Sequence, residues 1–214
     1  MTIVEGAPDT SARDALVRRG IRLGYVTVAY NCLEAVIALS AGILAGSVAL
    51  VGFGADSLIE VTAGGAALWR LGTDQDVHRR ARAEHIAIRV VGWCFIALAV
   101  YVAGDSVTAL VGHEPPREST IGIVLAVVSL IVMPLLATAK RRIALAMNSG
   151  ALVAEAKQTM ICTYLSAILL AGLGLNAVLG WWWTDPVAGL AMVPLIGIEG
   201  WEGIRGRSTC TDCC

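Results

Sequence analysis

The 214 residues are 57% hydrophobic and only 15% charged, whereas a soluble domain of this size is nearer half apolar and a quarter charged. The apolar residues fall in long runs, and runs of about 20 are what the hydrocarbon of a bilayer requires, so composition excludes an ordinary soluble domain and gives an integral membrane protein. The net charge of −1, with the basic residues dispersed around the membrane segments, offers no basic surface for nucleic acid.

The chain opens on "MTIVEGAPDTSARDALVRRG", acidic before it is basic and without the apolar core of a cleavable signal peptide. Residues 1–22 therefore read as a cytoplasmic N-terminal segment, and the first hydrophobic span stays in the protein. Six spans follow, roughly 23–46, 48–71, 86–112, 120–139, 150–173 and 180–200, each about the 20 residues a crossing needs. Lipid offers the backbone no hydrogen-bond partner, so such spans form helices or a closed barrel. These continuous runs lack the alternation of barrel strands. The connections are "GS", "TDQDVHRRARAE", "HEPPREST", "KRRIALAMNS" and "NAVLG".

Arg13, Arg18, Arg19 and Arg22 precede the first helix, and Arg79, Arg80 and Arg82 lie between the second and third. Lys140, Arg141 and Arg142 follow the fourth, Arg205 and Arg207 the sixth, and the alternate connections carry Arg117 alone. Positive charge collects on the cytoplasmic side, so the fold class is an all-α membrane bundle with both termini cytoplasmic. It divides into 1–22, a transport domain over 23–203 and a tail over 204–214. Trp181, Trp182 and Trp183 fall where the sixth helix meets the outer interface and read as an aromatic anchor. Pro134 and Pro194 read as kinks inside helices four and six.

Polar residues at membrane depth carry most of the functional information. Helix one has Asn31, Cys32 and Glu34; helix two has Asp56, Ser57 and Glu60; helix three has Asp105; helix five has Glu155, Lys157, Gln158, Thr159, Cys162 and Thr163. Asp56 and Glu60 are four apart and share one helix face, as do Gln158 and Cys162, with Glu155 three before Gln158. Paired carboxylates are costly in hydrocarbon unless a cation or proton joins them. Facing one another, the two sets would offer carboxylate, amide and thiol donors to a divalent cation, the sulfur favouring zinc, cadmium or softer ions over magnesium or calcium. For Ser57, Thr159 and Thr163 the plainer reading is interhelical hydrogen bonding. Cys94 has no polar company and reads as packing. Lys157 could pair with Glu155 or Asp105, or extend to the membrane surface.

These features resemble the transmembrane domain of the cation diffusion facilitator family, over roughly 20–203. "AGSVALVGFGADSLIEV" resembles the family's helix-two motif, with Asp56 and Glu60 on the two ligand positions. "AEAKQTMIC" resembles its helix-five motif, with Glu155 at the first acidic place, Gln158 where His is usual and Cys162 where the second Asp is usual. "WWWTDPVAGL" resembles the Asp-Pro start of the family's sixth helix, which makes Asp185 structural. The resemblance implies export of divalent metal coupled to protons, with Asp56, Glu60, Gln158 and Cys162 as the main site and Glu155 and Glu34 as accessory donors. About a dozen residues follow helix six, so the family's usual cytoplasmic domain is not expected and dimerisation would rest on the membrane helices.

The tail "STCTDCC" adds Cys210, Cys213 and Cys214, a thiol cluster suited to capturing a soft metal on the reducing side of the membrane. His78 and His85 read as solvated. Neither a nucleophile–base pair nor a nucleotide motif is present, so the chain is not expected to be an enzyme. No permanently bound cofactor is expected, since zinc or cadmium would be cargo and protons the counter-ion. The expected setting is a multi-pass protein of the bacterial cytoplasmic membrane. Rival readings are a proton-coupled exporter of organic cations, which would want more than 6% aromatics, and a membrane metal-binding protein that transports nothing.

Overall fold

The computed structural model describes residues 10–72, 77–113, 115–146 and 150–205. Six helices make up the described chain: α1 Thr10–Ala45, α2 Val48–Gly72, α3 Val77–Gly112, α4 Thr120–Ala146, α5 Gly150–Leu179 and α6 Thr184–Ile204. Each contains a stretch long and apolar enough to cross a bilayer, and no strand occurs among the described residues. Six crossings return the chain to its starting side, so residues 10 and 205 lie toward one face of the bundle.

The helices outrun the spans that hydropathy marks. α1 and α3 each have 36 residues, about 54 Å at 1.5 Å per residue, against a hydrocarbon core of about 30 Å. Segments read as connections, such as residues 77–84 and 140–146, are helical. Hydropathy registers where lipid begins and ends, whereas a helix satisfies its own backbone and continues into water where Ala and Arg favour it. The exposed side chains of Arg18, Arg19, Arg22, Arg89, Arg141, Arg142 and Arg205 then lie at the end of the bundle that carries the chain termini.

α2 is the hub: it packs against α1, α3, α5 and α6, while α4 pairs with α5 and α1, and α3 with α6. The apolar core is built where these meet, from Leu50 and Phe53 of α2, Val102 of α3, Leu165 and Leu169 of α5, and Met192 and Ile196 of α6, all essentially without solvent access. The outward faces are apolar as well, with Leu44 and Val178 more than three-quarters exposed, as expected of a surface solvated by lipid. Close helix contacts are made through small residues: a Cβ on Gly92 of α3 would stand 2.7 Å from the Ile204 nitrogen of α6.

The α1–α2 turn fixes the register of the hub. Gly46 takes φ +66°, a conformation glycine adopts without penalty. Ser47 then caps α2, its Oγ accepting from Leu50 N at 3.1 Å. Asp185, in the first turn of α6 and fully buried, accepts from Ser47 Oγ at 2.5 Å and from Val48 N at 3.0 Å. A carboxylate from one helix thus satisfies an orphan N–H of another, the structural role expected of it. At the same end Trp181 and Trp183 stack with ring centroids 5.4 Å apart, and His113 lies 5.2 Å from Trp182.

Candidate metal-transport site

α2 and α5 meet as their sequence faces suggest. The Cys162 thiol donates to Asp56 Oδ2 at 3.2 Å, and both residues are buried, with 1% and 4% of their surfaces accessible. Glu60, one turn further along α2, is also buried and accepts from Asn31 Nδ2 of α1 at 2.6 Å. Gln158 lies one turn before Cys162, and its buried amide nitrogen has no partner among the described residues. Among those residues no three His, Cys, Asp or Glu side chains stand at metal-binding separations. Asp56 is engaged with the thiol and Glu60 with the amide of Asn31.

Four buried polar atoms are without partners among the described residues: Asn31 Oδ1, Ser106 Oγ, Gln158 Nε2 and Thr163 Oγ1. Three of the four belong to residues that contact, or lie one turn or less from, the Asp56–Glu60–Cys162 group. Buried polar groups are normally paired, so these atoms carry hydrogen-bonding capacity that the described residues leave unused.

Glu34 hydrogen-bonds to none of Asp56, Glu60 and Cys162. Its carboxylate accepts from Ser57 Oγ of α2 at 2.8 Å and from Ser129 Oγ of α4, and Ser129 also shares a 2.8 Å hydrogen bond with Tyr30 of α1. A cleft of about 390 Å³ between α1 and α4 reaches Glu34 and Tyr30 and is bounded by Thr120 and Val128. It is not lined by Asp56, Glu60, Gln158 or Cys162. Ser57 here does what interhelical hydroxyls commonly do.

Glu155 is engaged elsewhere. Lys140 Nζ donates to its Oε1 at 2.8 Å and to Thr159 Oγ1 at 3.2 Å. Lys157, whose sequence partners were Glu155 or Asp105, instead donates to Glu202 of α6 at 3.0 Å on the exposed surface. Its position on α5 turns it outward toward α6, away from the pocket. Cys94 is also exposed, facing outward rather than packing in the core, and Cys32 likewise. The rotation of α3 about its axis decides this, and hydropathy does not carry it. Cys210, Cys213 and Cys214, and the side chains of His78 and His85, lie outside the described residues.

Sequence reading missed two contributors. Asn31 appeared only as one polar residue among several, although its place three residues before Glu34 puts both on one face of α1. Lys140 reads in sequence with the cytoplasmic charges, although a lysine that directly follows nineteen apolar or small residues, 121–139, could as well turn inward.

The transmembrane-domain model of the cation efflux family matches residues 25–206, the whole of the bundle from the first turns of membrane-embedded α1 to the end of α6. The chain belongs to the cation efflux family. No curated protein matches it. Membership makes the bundle a metal-cation transporter of the multi-pass type, and places the buried carboxylates of α2 inside a family whose cargo is divalent metal.

Proposed function

We propose that this cation efflux protein exports zinc or cadmium in exchange for protons, binding the ion on Asp56, Glu60, Cys162 and the Gln158 amide. The observation that carries the reading is the Cys162–Asp56 contact at 3.2 Å across α2 and α5, buried, with a second carboxylate one turn away. Thiol, carboxylates and amide oxygen form a mixed donor set suited to borderline or soft divalent ions. Loading needs Glu60 to leave Asn31 and the thiol to leave its hydrogen bond, both of which are side-chain rotations. Asn31 holds Glu60 until the carboxylate turns to the ion, and the Gln158 amide, whose nitrogen is without a partner among the described residues, turns its oxygen to the cation.

Exchange follows from competition. A metal binds thiolate and carboxylate, so its arrival releases protons, and protons arriving from the other side displace it. With both termini cytoplasmic, as the arginine distribution supports, the ion loads from inside and is released outside by alternating access, the general scheme in which helices rock about a central site. The bacterial cytoplasmic membrane is the setting, and a homodimer, if formed, joins through membrane helices.

The test is ion flux in proteoliposomes under an imposed pH gradient, with zinc, cadmium, cobalt and manganese, comparing wild type with Asp56→Asn, Cys162→Ser and a chain truncated after Arg207. Gradient-driven zinc or cadmium flux that Asp56→Asn abolishes is the expected result. Flux of none of the four metals, with binding that survives Asp56→Asn and vanishes on truncation, would move the metal site to the cysteine tail and end the transporter reading. Gradient-driven flux of a bulky organic cation in place of the metals would favour the organic-cation exporter.

A further inference from the structure

The end of α4 carries three consecutive cations, and only one of them turns inward. Arg141 and Arg142 are exposed, while Lys140 retains 3% of its surface. Its ammonium lies between α4 and α5, bonded to Glu155 Oε1 at 2.8 Å and Thr159 Oγ1 at 3.2 Å. Thr159 in turn donates to the Glu155 backbone carbonyl at 3.0 Å. Fold stability does not call for such a pair: with the ammonium buried and Glu155 partly exposed, the attraction recovers little beyond the desolvation cost of the ammonium, and a well-packed apolar residue would serve as well or better.

Its location is what gives it meaning. Glu155 is three residues before Gln158 and seven before Cys162, so the pair sits about 5 to 10 Å from the donors along the α5 axis at 1.5 Å per residue. It lies on the side of the bundle where both chain termini emerge. A cation travelling between that face and Asp56 along the α4–α5 seam meets an ammonium already seated on the carboxylate that would first attract it.

We propose that Lys140 is the inner gatekeeper of the ion path and Glu155 a transient ligand at its mouth. With Lys140 bound, α4 and α5 are clasped below the pocket. An arriving divalent cation competes for Glu155, the ammonium withdraws, and the seam parts to pass the ion to Gln158 and Cys162. The exchange puts one cation in place of another on the same carboxylate, the divalent ion bringing one positive charge more than the ammonium it displaces, and no bond is made or broken covalently. Glu155 is then a donor during passage rather than a member of the central site. The assignment rests on reading the pocket as an ion path.

Cys162 reports on the gate directly. In a chain with Cys32, Cys94, Cys210, Cys213 and Cys214 replaced by Ser, a charged membrane-impermeant methanethiosulfonate is applied to reconstituted protein without metal, from each face separately, and labelling is followed by mass spectrometry. Lys140→Glu, which sets two carboxylates against each other, should speed labelling from the terminus-bearing face by about tenfold or more, and Glu155→Gln should do so more mildly. The exchanged pair Lys140→Glu/Glu155→Lys should return the rate to near that of the unaltered pair. Unchanged rates in folded Glu155→Gln and Lys140→Glu, equal acceleration from both faces, or an exchanged pair that labels as fast as Lys140→Glu would each overturn the proposal. Should Lys140→Glu not fold, Glu155→Gln and the exchanged pair decide it. Because no metal is used, the gate can fail while gradient-driven zinc flux stands, and the reverse.

Discussion

Replacing Asp185 with Ala should be among the most damaging single changes to this bundle, although the residue touches no candidate ligand. Its carboxylate is fully buried and accepts two hydrogen bonds, from Ser47 Oγ at 2.5 Å and Val48 N at 3.0 Å. Hydrogen bonds to a charged group contribute about 1.5–3 kcal/mol each, so losing both costs about 3–6 kcal/mol. Asp185→Asn keeps one acceptor oxygen but loses the charge, and should cost roughly half as much. For a chain of this length that is a fall in midpoint on the order of 10 °C for Ala and about half that for Asn. The assay is thermal unfolding in detergent, followed by helical circular dichroism or by loss of monodisperse protein. A cycle with Ser47→Ala isolates the pair, with an expected coupling of about 1.5–3 kcal/mol. An Asp185→Ala midpoint within about 2 °C of wild type, or strict additivity with Ser47→Ala, would refute the claim that α6 caps α2.

Cys162→Ser should preserve a hydrogen bond to Asp56 while weakening cadmium more than zinc, a shift in preference measurable by competition binding in nanodiscs. Apparent metal affinity should weaken as pH falls, because protons compete for the same carboxylates and thiolate, and a titration of zinc binding between neutral and mildly acid pH reads the sign directly. Gly172→Val should destabilise by about 1–3 kcal/mol, since a Cβ there already stands 2.5 Å from the Ala188 Cβ, whereas Gly174→Ala, with nothing within 4 Å, should be neutral or stabilising by about 0.5–1 kcal/mol; thermal midpoints separate them. Lys157→Ala, at the exposed pair with Glu202, should change stability by less than about 1 kcal/mol, while Lys140→Met, which strands a partly buried Glu155, should cost about 2 kcal/mol or more.

Six helices and their order could be read from the sequence because crossing a bilayer demands about 20 apolar residues and little else produces such runs. The pairing of Asp56 with Cys162 was also legible, since positions four apart on each helix define faces, and buried carboxylates leave few places to face. What the sequence does not carry is the rotation of each helix about its own axis once polar and apolar faces are both mostly apolar. Lys140, Arg141 and Arg142 look alike as letters, yet one points inward and two outward. Lys157 finds Glu202 rather than Glu155 because α6 lies on its side of α5 and Lys140 has already taken the acid. Asn31 became visible only when α1 was seen to lie against the turn of α2 that bears Glu60.

The exposed arginines at one end of the bundle and the stacked tryptophans at the other set a ruler inside the molecule. Along α1, Arg22 is 23 residues from Ala45, about 35 Å of helix at 1.5 Å per residue, only slightly more than the hydrocarbon it must cross. Guanidinium groups held at one headgroup layer and indoles at the other resist vertical sliding. Any rocking that admits an ion must therefore tilt helices rather than lift them, and a bilayer whose thickness departs from that ruler would favour one tilt over the other. On the alternating-access reading proposed above, lipid chain length is expected to alter turnover through the width of the membrane rather than through any contact with the metal.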